Sequence, residues 1–599
     1  MFDFFDTHLS PAWEIYVQPH LNGLRPDFVL LNPDVGIAVF EVKGWDIDSG
    51  RYSISPTSSG PPKLFVRTPH GRRQPIDNPI EKLHLYRSEI TQLYCPGLDR
   101  RAGLAAVTAG IIIPTASHAA VVELLSPALG YRVQDKAVLP YLRLVGRDVL
   151  ARGGLADAFP DATRSSSHVM TSELADDLRH WLVEPDVAAE QRDPPFLNRQ
   201  QLTLVNTRTE NGYRRIRGPA GSGKTMVLAG RAAALEREGK DVLVIAYNHT
   251  LLNYLRDTAV RFGCDPRRIT WLNFHSWCKR VLTECGRTGE YSALFHGWDD
   301  ADEVTRDRTL ATAMPALAEE ALRNATAAAR RYDAVLVDEA QDMLPEWWAA
   351  LRHVVKPRGE MVLVADTAQD VYDRRTRWTE RAMTGAGFTG KWVDLDYSYR
   401  MPTRLTELAR HFVETYLPAS DSPLPKSPAQ QELDVDVSRL RWVQVAPANL
   451  AEVCADAISE MVVKSRDDNT DGTLAFADVV FLCDRVVDGR DVSRLLDERG
   501  VRIAGTYAED SRERTRQKRH FFKGDARVKG TTIHSFKGWE GRALVIGIGA
   551  ADSDRAKSLV YSGMTRLKAH PRGSYLTVVC AAPELAAFGA LWPERERRS

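Results

Sequence analysis

The chain has 599 residues, enough for three or four domains with large cores. Its 44% apolar and 26% charged content is that of a soluble globular protein and excludes a disordered one, while 79 basic and 79 acidic side chains cancel, so binding to a polyanion has to come from local patches. Seven scattered cysteines without a CxxC or a His/Cys cluster argue against a zinc module, and no apolar run reaches membrane length, so a cytoplasmic protein with reduced thiols is the default expectation.

The first 150 residues read as one α/β unit. A strand-like Trp13–Val17 is followed by two apolar runs, Phe28–Leu31 and Ile37–Val42, joined by Asn-Pro-Asp, which predicts a β-hairpin. Asp27 stands at the mouth of the first strand. Glu41 and Lys43 are two apart on the second, so they share a face while Val42 turns away. Two carboxylates and a lysine converging at a sheet end suit metal-dependent phosphodiester cleavage: Asp27 and Glu41 would hold Mg²⁺, and Lys43 would orient the attacking water or offset charge. A surface hairpin with solvated charges gives the same pattern. Gly110–Pro114 predicts a buried strand, and residues 151–195, rich in Gly, Ser and Pro, predict a helical linker.

The stretch Trp13–Leu93, with its EVKGW strand and later NPIEKLHLYRSEI helix, resembles the nuclease-related domain, a branch of the PD-(D/E)xK nucleases. The resemblance implies a restriction-endonuclease-like fold and a nuclease using Mg²⁺, or Mn²⁺ in its place, at Asp27, Glu41 and Lys43. Where that family places Gln after its Asn-Pro, this chain has Lys82. The opening acidic helix is curtailed, with Asp3 and Asp6 as weak substitutes, Glu14 falling on a strand and Glu81 offering an alternative.

The next signal is RGPAGSGKT. It contains GxxxxGK[ST], with Gly218, Gly223, Lys224 and Thr225 in register, between a strand-like Arg214–Arg217 and a helical Met226–Glu238. Ordinary residue usage yields this pattern roughly 0.02 times in a chain this long. Backbone N–H groups of Gly218, Pro219-Ala220-Gly221-Ser222 and Gly223 would surround phosphate oxygens, proline excepted, since it has none. Lys224 would reach the β- and γ-phosphates, and the Thr225 hydroxyl would bind Mg²⁺. Tyr332–Val337 then runs into Asp338-Glu339-Ala340-Gln341-Asp342. Asp338 can share the Mg²⁺ with Thr225, and Glu339 can deprotonate the water attacking the γ-phosphate of ATP. Apolar runs alternating with helical patterns (DVLVIAY, YDAVLVDEAQD, GEMVLVAD, ADVVFLC, RALVIGI) predict parallel sheets covered by helices, in two lobes.

From Phe196 onward the chain resembles UvrD/Rep-type superfamily 1 helicases, whose motifs follow in order. The resemblance places Gln201 of LNRQQ on adenine, Tyr247 and Asn248 of AYNHT and Phe274, His275 and Ser276 of NFHSW on a nucleic-acid strand, and Gln369 of ADTAQDVY as the γ-phosphate sensor, with Asp366 linking it to the DNA face and Tyr372 beside the strand. It places Tyr399 on the adenine face, Arg400 on the γ-phosphate, Thr532 and His534 towards the strand, Glu540 towards the ribose, and Arg566 as an arginine finger. Arg374 stands where relatives carry a stacking aromatic, and Trp378 could substitute. The intervals Ser276–Arg331 and Met401–Lys529 are short, so accessory domains must be small. The expected division is a nuclease-related domain over 1–150, a linker over 151–195, a first RecA-like lobe over 196–395 and a second over 396–599.

The run 512–529 is heavily basic with Phe521 and Phe522 inside it, and is either a phosphate-binding segment or a solvated loop. Arg72/Arg73 and Arg100/Arg101 are weaker patches. Together these features predict an ATP-driven motor on single-stranded or tailed DNA, 3′→5′ by resemblance, coupled to the nuclease, in repair or in defence against foreign DNA, with protein partners of that system. RNA offers the same phosphates and base faces and stays open as the track. The alternative is a DNA-gated ATPase switch whose N-terminal unit binds DNA or a partner without cutting.

Overall fold

The computed structural model describes residues 1–599 apart from 22–23, 57–61, 69–70, 77, 96–97, 99–105, 133–140, 183–194, 299–301, 325–327, 367–382, 384–385, 399, 418–436, 468–473 and 599. The chain divides into two compact units. Unit 1 is Met1–Ala188 with Gly524–Ala526, and unit 2 is Ala189–Lys523 with Arg527–Ser599. Among the described residues no helix is long and apolar enough to cross a membrane.

Unit 1 is built on β1 (Glu14–Val17), β2 (Phe28–Asn32) and β3 (Gly36–Val42), which pair antiparallel, with a separate antiparallel sheet of β4 (Tyr52–Ser55), β5 (Lys63–Arg67) and β6 (Arg73–Ile76). β7 (Val107–Ile113) and β8 (Leu142–Gly146) extend the first sheet in parallel, giving the order β1-β2-β3-β7-β8. β2 and β7 are buried along their whole length, which is why they read as continuous apolar runs and not as alternations. The Asn32 side chain accepts the Asp34 N–H at 3.0 Å, the local bond that closes the predicted hairpin.

Residues 151–182 are not a linker. Phe159 is fully buried against Trp13 and Phe40 (ring centroids 4.9 and 5.9 Å), and Trp181, on the helix Ser172–Leu182, packs on Tyr94 at 4.7 Å. The Gly/Ser/Pro composition obscured a few large apolar anchors, each worth roughly 1.5–3 kcal/mol when buried. The rest of the expected linker, 183–194, lies outside the described residues.

Unit 2 carries two all-parallel sheets covered by helices, in two lobes consistent with RecA-like folds. The first contains β9 (Tyr213–Arg217), β10 (Val242–Ala246), β11 (Ile269–Asn273), β12 (Tyr332–Val337), β13 (Val355–Ala365) and β14 (Val393–Asp394), in the order β11-β10-β12-β13-β9-β14. The second contains β15 (Ser438–Val445), β16 (Val479–Cys483), β17 (Ile503–Gly505), β18 (Val528–Thr532), β19 (Ala543–Ile548), β20 (Ser574–Cys580) and β21 (Glu594–Arg598), in the order β17-β18-β16-β19-β20-β15-β21. Between β11 and β12 the insertion is small, with the short helices Thr288–Leu294, Glu303–Arg308 and Met314–Asn324. The helix Lys224–Arg237 is buried almost throughout. Its one deeply buried arginine, Arg231, is satisfied by a fork onto Glu360 (2.8 and 2.6 Å).

Candidate functional site

The phosphate loop joins β9 to the helix Lys224–Arg237. Gly221 and Gly223 sit at φ 79° and 85°, which a side chain would strain. A Cβ on Gly221 would also stand 2.5 Å from Ser398 Oγ and 2.8 Å from Arg400 Cβ, so the loop is packed directly against the start of the second lobe. Lys224 folds back over the loop, donating to the carbonyls of Gly218 (2.7 Å) and Pro219 (2.8 Å) and lying 3.4 Å from Asp366. Gln201 does not present a free amide. Its Oε1 accepts the Asn198 N–H (2.9 Å) and its Nε2 donates to the Ser222 carbonyl (3.0 Å), so it braces the loop from the helix Arg199–Asn206.

Asp338 and Glu339 follow β12 at its C-terminal end, where parallel sheets place their ligands. Thr225 lies beside Asp338, whose carboxyl is pushed up to about 7 by burial and by the neighbouring Glu339 charge. Burial alone would raise Glu339 too, but Lys537, Arg566 and Lys224 outweigh it and hold that carboxyl below its usual range. Glu339 has φ 47°, a left-handed backbone rare outside glycine, and Gln341 donates to its carboxylate. Gln341 in turn accepts the Asp366 N–H at 3.0 Å, tying this turn to the end of β13.

The second lobe supplies the cations. Arg566 is 3% exposed, donates to the Ser562 carbonyl at 3.0 Å, and is pulled down to about 10 by burial and by Arg400. Arg400 lies 3.1 Å from Glu540, so these two side chains, expected at the γ-phosphate and the ribose, adjoin one another. Burial works against the Glu540 charge, yet Lys568 and Arg400 bring its carboxyl down to about 2. Gln369 and Tyr399 lie outside the described residues. Buried polar atoms without a protein partner gather here: Ser222 Oγ, Ser398 Oγ, Asp338 Oδ2 and Arg400 Nη1. A donor and acceptor set left unsatisfied around a phosphate loop fits a nucleoside triphosphate with its divalent cation.

The strand-binding candidates lie at the ends of β10, β11 and β18. Tyr247, Asn248, His275, Thr532 and His534 are half-buried. The Tyr247 ring is 6.2 Å from both His275 and His534, which brings the two lobes together at this face. Asn248 caps the helix His249–Arg261 through the Leu251 N–H (2.6 Å), and Thr532 donates to Ser535 at 2.9 Å. Phe274 does not reach this surface: it is fully buried and stacked on Trp347 (4.2 Å, 7°). Trp347 was not anticipated, although the Trp347-Trp348 doublet directly after the acidic turn is its signal. Tyr372, Arg374 and Trp378 lie outside the described residues.

The basic run also differs from expectation. Ser511–Arg519 is a helix, and Phe521 and Phe522 are buried, Phe521 edge-on to Trp539 at 5.1 Å. Asn253 of the first lobe donates to the carbonyls of Lys518, Arg519 and Phe521, so the segment braces the lobes and its phenyl rings are not stacking platforms.

In unit 1 the predicted residues do converge. Lys43 Nζ lies 2.6 Å from Glu41 Oε1, and Asp27 Oδ2 accepts the Val42 N–H at 2.7 Å. Two further residues join them from the helix Pro79–Glu89: Lys82 donates to Glu41 Oε1 (3.0 Å) and Tyr86 to Oε2 (3.0 Å). Glu41 thus accepts from three protein donors, the four charges sum to zero, and no group of three metal-ligating side chains occurs among the described residues. This set does not fit the expected Mg²⁺ at Asp27 and Glu41, because a hard cation needs carboxylate oxygens that are not already neutralised. Of the weaker patches, Arg73 covers the Phe65 ring at 3.8 Å, Arg72 is exposed, and Arg100/Arg101 lie outside the described residues.

Residues 196–371 match the family model of an AAA domain. No curated protein matches the chain. With the loop geometry, the match identifies a P-loop ATPase domain, which implies a bound nucleotide and, as a rule, Mg²⁺.

Proposed function

We propose that unit 2 is an ATP-hydrolysing motor that moves on single-stranded nucleic acid, most simply DNA in the 3′→5′ sense of the helicases it resembles. The observation that carries this reading is the charge environment of Glu339, which combines Lys224 from the first lobe with Lys537 and Arg566 from the second. A bound ATP–Mg²⁺ supplies the scissile phosphoanhydride and its charge neutralisation. Lys224 would leave the loop carbonyls to meet the phosphates, Thr225 and Asp338 would hold the cation, and Glu339 would orient and deprotonate water. Arg566 and Arg400 reach the same charge from across the cleft, so loss of the γ-phosphate weakens the grip between lobes. With Tyr247 and His275 on one lobe and His534 and Thr532 on the other facing a strand, opening and closing becomes a step along it.

DNA processing, in repair or in defence against foreign DNA, is the biological setting this reading suggests. For unit 1 the neutralised Glu41 favours the second reading, a binding module over a Mg²⁺-dependent nuclease. The motor is tested by measuring ATP turnover and translocation on single-stranded, duplex and tailed DNA and on RNA, for the wild type and Lys224→Ala. Single strands should stimulate turnover and Lys224→Ala should abolish it. Turnover indifferent to every strand would leave an ATPase and remove the motor.

A further inference from the structure

Glu41, the penultimate residue of β3, has a side chain only 3% exposed, yet it stays anionic: burial would raise its carboxyl, and Lys43 and Lys82 bring it below the usual range. Lys82 and Tyr86 stand one turn apart on the helix Pro79–Glu89, the spacing that puts two side chains on one face, and both end on this carboxylate. The two lysine side chains remain 26% and 44% exposed. Each ammonium has three N–H donors and spends one on Glu41, so two on each stay available to an incoming anion. Asp27, held by the Val42 N–H, borders the cluster and fixes its edge.

We infer that Lys82 takes at Glu41 the charge-neutralising place of a divalent cation, so that unit 1 grips a nucleic-acid phosphate through Lys43 and Lys82 without metal and without cutting it. Glu41 then serves as the buried counter-charge that holds two lysines side by side at a spacing a phosphodiester can bridge. Lysine suits this role as a compact point charge, and the grip is released by salt. The inference rests on reading unit 1 as a binding module and stands apart from the motor in unit 2.

The test is a Mn²⁺ titration of the full-length, nucleotide-free protein, followed by electron paramagnetic resonance, for wild type, Lys82→Gln and Lys82→Gln/Glu41→Gln. Lys82→Gln should bind one more Mn²⁺ than wild type, and the double variant should lose it. A Mn²⁺ ion that wild type binds and Lys82→Gln/Glu41→Gln loses would overturn the inference, as would a Lys82→Gln protein that gains no ion. In EDTA, Lys43→Ala and Lys82→Ala should each reduce the slope of log affinity against log salt for single-stranded DNA by about 0.7. Unchanged slopes would overturn the phosphate grip. Circular dichroism and thermal melting that match wild type show that these variants fold, and a wild type whose ATPase no strand stimulates would count against the motor alone.

Discussion

The buried pair between Lys537 and Asp342 offers a quantitative test of how the lobes are joined. Lys537 follows β18 in the second lobe and Asp342 ends the acidic turn of the first. Nζ lies 3.0 and 3.1 Å from the two carboxylate oxygens, and the side chains are 0% and 1% exposed. An exposed pair of this geometry would be worth at most about 1 kcal/mol. Here water cannot replace a lost partner, so Lys537→Met, which takes the ammonium from a buried carboxylate, should cost about 3–5 kcal/mol. Lys537→Met/Asp342→Leu removes both members of the pair and should recover part of that loss, the remainder reflecting the Lys537 charge that Glu339 also loses. The assay is urea unfolding followed by tryptophan fluorescence, read as a double-mutant cycle. Because residues of both lobes share one apolar core, the penalty appears in the stability of unit 2 as a whole. A coupling energy below about 1 kcal/mol would refute the claim that this pair is a desolvated link between lobes.

His249 is pulled down to about 4 by burial and by Arg519, Lys518 and His275, and Asn273 donates to its Nε2 at 3.0 Å, a role that requires the neutral ring. The unfolded chain protonates near pH 6.5 and the folded one near 4, so this stability is present above pH 6.5 and lost between those values, up to about 3 kcal/mol. Chemical denaturation of wild type and His249→Gln from pH 7 to 4 should show a shallower decline in the variant; parallel curves would remove the histidine from the acid response. In unit 1, Phe159→Ala should cost about 3–5 kcal/mol, measured as a lowered melting temperature. A shift within error would restore residues 151–182 to linker status.

The elements legible in the sequence were those written in short-range pattern. The β2–β3 hairpin followed from two apolar runs around Asn-Pro-Asp, and the phosphate loop from glycine spacing between a strand and a helix. The acidic turn after β12 and the parallel strands β10, β16 and β19 followed from unbroken aliphatic runs. What composition hid was pairing over long separations. Lys82 and Tyr86 reach Glu41 across more than forty residues, and Lys537 reaches Asp342 across nearly two hundred, and no local rule registers either contact. The burial of Phe274, Phe521 and Phe522 escaped the sequence for a related reason. An aromatic beside basic or motif residues reads equally well as a stacking surface or as a core anchor, and only the position of Trp347 or Trp539 decides which.

The central claim is that one cleft between two lobes hydrolyses ATP with Glu339 as its base and Arg566 as the cation supplied from the opposite lobe. The direct measurement is strand-stimulated ATP turnover, alongside nucleotide binding, for wild type, Glu339→Gln and Arg566→Ala. Both variants should still bind nucleotide, with turnover lowered about 10²–10⁴-fold for Glu339→Gln and to a similar extent for Arg566→Ala. Wild-type turnover in Glu339→Gln would contradict the account.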